Sequence, residues 1–239
     1  MRTSWRISSV RLLVAILMIS GIASGTTITY VSPSGSATSD GSVNAKAVFV
    51  IGAGTLTLTL SDLLGNPTSV GQLLSNFEFS LSSSLSALAH MNSSAQERMV
   101  NADHSFTEGS TISTGWALQA SGGGVVAICM ICPNNGTPPP TNPPSHLIIG
   151  AGAYTNANGS IAGNGPHNPF LDESATFTIS DSTITSATAV SNVVFGFGTQ
   201  FGSEVTGQLS AVPEKNTMLL IGTGLILLGS LRKLVKTQP

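Results

Sequence analysis

The feature that most constrains the fold of this chain is a strict alternation of threonine and leucine over residues 55–60. Successive side chains of a β-strand point to opposite faces, so this pattern places three leucines on one face and three threonines on the other. Residues 77–81 and 175–179 alternate in the same way, and residues 193–197 do so more loosely. These patterns predict strands with one buried face and one polar face.

Further candidate strands lie at residues 27–31, 45–50 and 125–131, and glycine-rich turns separate the runs. Many short strands divided by turns are typical of a sandwich or a barrel. We therefore predict an all-β fold, with residues 26–211 forming a single β-sandwich-like domain. Residues 133–144, which hold six of the twelve prolines, are expected to form a loop within it, with a connector that divides the body in two as the alternative. Residues 84–99 are expected to hold one or two helical turns.

The N-terminus has the parts of a secretory signal peptide. Arg2, Arg6 and Arg11 form a basic flank, an apolar run covers residues 12–19, and small residues follow at 20–25. The apolar run is shorter than the roughly 20 residues that a spanning helix needs. We predict a signal peptide over residues 1–25, with an uncleaved membrane anchor as the alternative.

The C-terminus is expected to cross a membrane. An apolar run at residues 217–231 leads into the basic residues Arg232, Lys233 and Lys236. A transmembrane segment over about residues 217–235 becomes feasible when the basic side chains reach back to the membrane surface. The alternative, a buried helix of the folded domain, is disfavoured because this run has no polar face.

Charge is divided between the ends and the middle of the chain. Only two of the nine basic residues, Lys46 and Arg98, lie between residues 26 and 211, together with ten of the eleven acidic residues. That region therefore carries a net charge of −8 with histidine neutral. Basic segments resist translocation, so the ends are expected to stay cytoplasmic while the acidic middle crosses. An acidic domain also excludes nucleic acid as a partner, since phosphate binding needs clustered basic residues.

At its C-terminus the chain resembles the PEP-CTERM proteins of Gram-negative bacteria. Val212, Pro213 and Glu214 match the start of the family's Val-Pro-Glu-Pro motif, and Lys215 stands in place of the second proline. A hydrophobic helix and a basic end complete the pattern over residues 212–239. The resemblance implies that an exosortase, a membrane-embedded cysteine transpeptidase, reads this sorting signal. It also implies delivery to the cell surface or to an exopolysaccharide matrix.

The middle of the chain resembles one uncharacterised group of PEP-CTERM passenger proteins. The resemblance rests on GNPTSVGQ at residues 65–72, STGW at 113–116, SIAGNGPHNPF at 160–170 and FGFGT at 195–199. It implies a single β-rich domain that is exported from the cytoplasm. It implies nothing about catalysis.

The best candidate for a binding site is the loop at residues 156–170 and the acidic residues that follow it. Its glycines allow unusual backbone conformations, and carboxylate and amide oxygens suit a hard cation such as Ca²⁺. The candidate ligand residues are Asn158, Asn164, His167, Asn168, Asp172 and Glu173. The alternative is a structural loop whose asparagines satisfy its own backbone. No calcium-loop spacing occurs in it, so we predict no metal site and no cofactor.

Three further groups of residues are candidates for chemistry. Cys129 and Cys132 are expected to form a local disulfide in an exported protein, with free buried thiols, an accessory redox or metal role, or a catalytic role as alternatives. His104 with Asp103 and Glu108 is the only tight acid–histidine cluster, and we interpret it as a solvated loop. Trp116 and Tyr154 are expected in the core. We therefore predict no catalytic residues.

Three functional hypotheses follow from the sequence. The preferred one is a non-enzymatic surface or extracellular-matrix protein, associated with exopolysaccharide and sorted by its C-terminal signal. It would cross the inner membrane as an anchored precursor and end at the cell surface or outside the cell. The second is a carbohydrate- or calcium-binding module that uses the 156–170 loop. The third is an exported hydrolase.

Overall fold

A computed structural model describes residues 25–132 and 144–210 of the chain. Within these residues it contains two short 3-10 helices, Val70–Gln72 and Gly122–Gly124, and sixteen strands. The strands are β1 (Thr26–Val31), β2 (Ala37–Thr38), β3 (Gly41–Ser42), β4 (Ala45–Gly52), β5 (Thr55–Asp62), β6 (Leu74–Leu81), β7 (His90–Val100), β8 (Phe106–Ile112), β9 (Ala117–Ser121), β10 (Val125–Cys129), β11 (Ile148–Ile149), β12 (Phe170–Asp172), β13 (Ser174–Ser180), β14 (Val190–Phe197), β15 (Glu204–Thr206) and β16 (Gln208–Leu209). The predicted all-β class is confirmed.

Fourteen strands of the described chain form one continuous hydrogen-bonded sheet, and β2 pairs with β3 in a separate hairpin. One part of the sheet, called layer one here, has the order β16–β1–β4–β5–β13–β7 and is antiparallel throughout. Layer two contains β15, β14, β6, β10 and β9 in that order. Strands β11 and β12 pair in parallel and link β6 to β7, so the sheet is mixed.

The core lies between the two layers because each strand buries every second side chain. Leu56, Leu58 and Leu60 of β5 are fully buried, as the alternation predicted, while the intervening threonines remain at the outer surface. Phe49 of β4 contacts Phe77 of β6 across the core, with 5.8 Å between the ring centroids. Burying one such large side chain contributes roughly 1.5–3 kcal/mol. These contacts hold layer one against layer two.

A smaller apolar cluster lies beside the main core and positions the site described below. It is built from the ends of strands and from the long segment between β11 and β12, and its members are Leu73, Val100, Leu147, Ile149, Tyr154, Ala157, Ile161 and Phe170. Tyr154 and Ile161 are fully buried although both belong to this irregular segment. The segment is therefore anchored to the sheet by its own side chains.

The expected helical turns within residues 84–99 are wrong. Residues 90–99 belong to β7, the longest of the described strands, and residues 84–89 are irregular apart from a turn at residues 87–88. Strand β7 pairs with β13 on one side and with β8 on the other. Those pairings satisfy its backbone groups, so tertiary contacts override a sequence that is poor in β-branched residues.

Several predicted segments lie outside the described residues. These are the signal peptide apart from Gly25, the proline-rich loop apart from Pro144, and the sorting signal with its transmembrane segment. Across residues 25–132 and 144–210, no helix combines the length and the apolar character that spanning a membrane requires.

Candidate functional site

The loop at residues 156–170 uses its asparagine side chains for its own backbone. The Asn158 Oδ1 atom accepts hydrogen bonds from the backbone N–H and the hydroxyl of Ser160, at 2.8 and 2.6 Å. Asn164 donates from Nδ2 to the carbonyl oxygen of Gly159 at 2.8 Å, and its Oδ1 accepts from the N–H of His167 at 3.1 Å. Both amides therefore stabilise the turns of the loop, as asparagine commonly does.

Asn168 and His167 attach the loop to neighbouring segments. The Asn168 side chain accepts from the N–H of Val100 at 3.0 Å and donates to the carbonyl oxygen of Val100 at 3.2 Å, so the amide replaces a strand partner at the end of β7. The Nδ1 atom of His167 lies 2.7 Å from the carbonyl oxygen of Pro144. The four loop residues proposed as ligands are thus engaged by the protein itself.

Asp172, the fifth proposed ligand, belongs to a different group of side chains. It lies in β12 beside the buried guanidinium of Arg98, and its Oδ1 approaches Arg98 Nη2 at 2.6 Å as an ion pair without hydrogen-bond alignment. We call this group the Arg98 cluster and define it as Arg98, Glu108, Tyr154, Asp172 and Glu173. It joins residues from β7, β8 and β12 with two residues from irregular backbone.

The guanidinium of Arg98 is the centre of the cluster. Its Nε and Nη2 atoms donate to Glu108 Oε1 at 3.1 and 2.7 Å, and its Nη1 donates to the Tyr154 hydroxyl at 2.8 Å. The Tyr154 hydroxyl in turn donates to the carbonyl oxygen of Gly150 at 2.9 Å. Glu173 Oε1 lies 3.6 Å from Nη1, and the Phe106 ring lies 4.4 Å from the guanidinium carbon. These groups surround the guanidinium, and only 5% of Arg98 is exposed.

Two residues of the cluster adopt left-handed backbone conformations. Tyr154 has φ of 50° and Glu173 has φ of 54°, values that non-glycine residues seldom adopt. Glu173 lies between β12 and β13. Its backbone N–H donates to the carbonyl oxygen of Ile149, and its carbonyl oxygen accepts from the backbone N–H of Asp62. The left-handed residue thus changes the direction of the chain between the two strands.

Charge within the Arg98 cluster is unbalanced, because three carboxyl groups share one guanidinium. The pKa of Asp172 is raised to about 6, chiefly by burial and also by the nearby Glu108, while Arg98 lowers it. Burial also raises the pKa of Tyr154, against the lowering influence of Arg98. Burial alone would lower the pKa of Arg98, but its bonds to Tyr154 and Glu108 raise it. The arginine therefore stays charged, while the carboxyl group of Asp172 can take up a proton in mild acid.

The cluster is not arranged to bind a metal ion. The guanidinium of Arg98 occupies the position between the carboxylates that a cation would take. Within the described residues, no three histidine, cysteine, aspartate or glutamate side chains are grouped so that they could hold a metal ion.

The other candidates from the sequence are separate from one another. Cys129 and Cys132 form a disulfide at the end of β10. The Nε2 atom of His104 lies 3.1 Å from the carbonyl oxygen of Ala157, Asp103 bonds to Ser105, and Glu108 points to Arg98. The three residues of the sequence cluster 103–108 therefore serve three different contacts.

Sequence reasoning missed Arg98 as the centre of a site. The available signal was the rarity of basic residues. Residues 26–211 contain ten acidic and two basic residues, so each basic residue has several carboxylates as potential partners. Tyr154 was correctly expected in the core, but its bond to Arg98 joins positions 56 residues apart and leaves no local pattern.

The four sequence segments on which the resemblance of the middle of the chain rests contact one another or neighbouring parts of the fold. The N–H of Val70 donates to the Ser160 hydroxyl at 2.9 Å, which ties residues 65–72 to the 156–170 loop. Gly198, with φ of 83°, lies against Gly71, where an added Cβ would come within 3.2 Å of the Gly71 Cα. Trp116 donates from Nε1 to the carbonyl oxygen of His146 at 2.8 Å.

Comparison of the chain with protein-family models, with curated proteins and with solved structures gives no match.

Proposed function

We propose that this chain is a non-enzymatic protein of the cell surface or extracellular matrix. In this proposal an N-terminal signal peptide starts export, and residues 217–235 hold the precursor in the membrane. An exosortase-type enzyme then acts at Val212, Pro213 and Glu214. The resemblance to PEP-CTERM proteins, which suggests association with exopolysaccharide, belongs to the same proposal.

The observation that carries the proposal is the partition of charge along the chain. The basic residues at both ends favour the cytoplasmic side of a membrane, and the body between them is acidic. The body contains only two basic residues, Lys46 and Arg98, between residues 26 and 211. Little positive charge therefore opposes the passage of the body.

The folded body supports export in two further ways. Its disulfide between Cys129 and Cys132 is the form that cysteine pairs adopt in oxidising compartments. The contacts between layer one and layer two support a single β-sandwich-like domain, an architecture that many extracellular proteins share. The 156–170 loop is not favoured as a calcium or carbohydrate site, because its amides are engaged within the protein.

The proposal is tested by variants of the C-terminal signal in cells that express the gene naturally. We expect Glu214→Ala, or removal of residues 232–239, to leave the protein in the membrane fraction or to change its mature mass. Glu204→Ala is the matched control, since it removes a glutamate from exposed strand β15 only ten positions earlier. Distribution of both signal variants like that of the unaltered protein, with unchanged mass, would contradict sorting.

A further inference from the structure

The outer surface of layer one is an ordered array of hydroxyl groups. Threonines occupy most of the outward positions of three of its strands, and these threonines are Thr27, Thr29, Thr55, Thr57, Thr59, Thr176 and Thr178. We call this surface the hydroxyl face. Neighbouring strands lie about 4.8 Å apart, and outward residues two positions apart along a strand lie roughly 7 Å apart.

The register of the strands arranges this face in two rows that cross five strands. The first row is Thr29, Val48, Thr59, Thr176 and Ser94, and the second is Thr27, Val50, Thr57, Thr178 and Asn92. Each row thus presents hydroxyl or amide groups on both sides of one valine. Val50 is 43% exposed, so apolar carbon is accessible between the polar groups.

The threonine hydroxyls of these rows are available to a partner. Among the described residues, no side-chain hydrogen bond engages Thr27, Thr29, Thr57, Thr59, Thr176 or Thr178. A hydroxyl group donates one hydrogen bond and accepts two, so such a surface matches a partner that is itself rich in hydroxyls.

Charge selects a neutral partner. None of the ten acidic residues of the body lies at an outward position of this face, although the body as a whole carries −8. Asp62 ends β5 on the buried side, and Glu78 with Glu204 lies on layer two. Lys46 is the one basic residue at an outward position of β4 and β5. The net charge repels a polyanion, and the face lacks the carboxylates that would attract a polycation.

We propose that the hydroxyl face docks a neutral polysaccharide, whose hydroxyls bond to the threonines while its C–H groups contact Val48 and Val50. This inference rests on the proposed function, since it names the matrix component that the exported body would contact. Individual contacts between hydroxyl groups are weak, so retention depends on the residues of both rows acting on one polymer. The site is distinct from the 156–170 loop.

The test measures retention of the purified full chain, kept in detergent, on insoluble cellulose, with soluble dextran as competitor. We expect the unaltered protein to be retained, and Thr57→Val with Thr178→Val to reduce retention about tenfold through loss of two hydroxyl contacts. Valine keeps the branched shape of threonine and suits a strand. Thr57→Ser with Thr178→Ser keeps both hydroxyls and should retain binding within about threefold.

Thr206→Val is the matched control, because Thr206 is an exposed threonine of β15 on the other layer. It should leave retention unchanged, and alginate beads, which are anionic, should retain less protein than cellulose. Absence of retention of the unaltered protein, or equal retention of the double valine variant at an unchanged melting temperature, would overturn the proposal. Localisation of the double valine variant should stay normal, so a failure here is separate from a failure of sorting.

Discussion

The Arg98 cluster and the hydroxyl face show two different ways of placing polar groups on one β-sheet. In the Arg98 cluster a nearly buried guanidinium contacts three carboxyl groups and a tyrosine, so four side chains share one cation. On the hydroxyl face the polar groups are half-exposed and have no side-chain partners among the described residues. The body contains two basic residues, and each region holds one of them.

This difference teaches where the fold can tolerate change. Removing one member of a buried ionic group leaves its partners charged and without compensation, which costs several kcal/mol. Removing one hydroxyl from a solvated face leaves water to take its place. We therefore expect the Arg98 cluster to maintain the fold and the hydroxyl face to be free for binding.

The largest expected effect is the loss of Arg98. Arg98→Met should lower the free energy of unfolding by about 3–5 kcal/mol, because three carboxyl groups would lose their shared cation. Lys46→Met, the same substitution at the other cation of the body, should change it by less than about 0.5 kcal/mol. Urea unfolding followed by circular dichroism measures both values. Equal effects of the two substitutions would remove the distinction between the regions.

The disulfide at the end of β10 provides an intermediate effect. Replacing Cys129 and Cys132 by alanine should lower the free energy of unfolding by about 2 kcal/mol, because the two residues are only three positions apart and close a short loop. The same urea titration measures this value under oxidising conditions. A loss larger than that caused by Arg98→Met would show that the Arg98 cluster is not the most sensitive part of the body.

A pH titration sharpens the description of the Arg98 cluster. The pKa of Asp172 rises from its ordinary 3.8 to about 6, so between these pH values the folded state binds more protons than the unfolded state. The contribution of Asp172 to the free energy of unfolding should therefore decrease as pH rises from 4 to 7. The measurement is the difference between the unaltered protein and Asp172→Asn, taken by urea unfolding at each pH.

Asp181 provides a control of opposite sign for this titration. Burial alone would raise its pKa, but hydrogen bonds from Ser86 and Thr183 lower it below the ordinary value. The stabilising contribution of Asp181 to the free energy of unfolding should be fully present above pH 4 and should disappear as the pH falls further. If the contribution of Asp172 instead grew between pH 4 and 7, our description of the cluster would be wrong.

The smallest expected effect is on the hydroxyl face. Thr57→Val with Thr178→Val should change the free energy of unfolding by less than about 0.5 kcal/mol per site, since both side chains are β-branched and suit a strand. Thermal unfolding of this variant beside Thr206→Val provides the comparison. A loss of several kcal/mol would mean that the face is part of the fold's support, not a free surface.

The regular part of the fold could be predicted from the sequence, and the irregular part could not. Alternation identified β5 and β13 because each has one face buried in the core along its whole length. It failed for β7, whose side chains alternate weakly and whose conformation is set by its neighbours β13 and β8. It also failed for β8, which is exposed over almost all its length and buries no apolar row.

The Arg98 cluster depends on contacts between residues that are distant in sequence. The 156–170 loop was correctly identified as a segment rich in polar groups, but the pattern alone did not decide between ligand binding and bonds to its own backbone. Arg98 meets Asp172 only because β12 pairs with β7, and it meets Tyr154 only because an irregular segment is anchored in the smaller apolar cluster. Such pairings are fixed by the whole fold.

The most direct test of the proposed function is the intact mass of the protein isolated from the cells that make it naturally. We expect an N-terminus that begins after Ala23 or Gly25 and a C-terminus near Pro213, in protein recovered from the cell surface or the medium. A single mass for the complete chain of 239 residues, found in the cytosol without detergent, would contradict export and sorting.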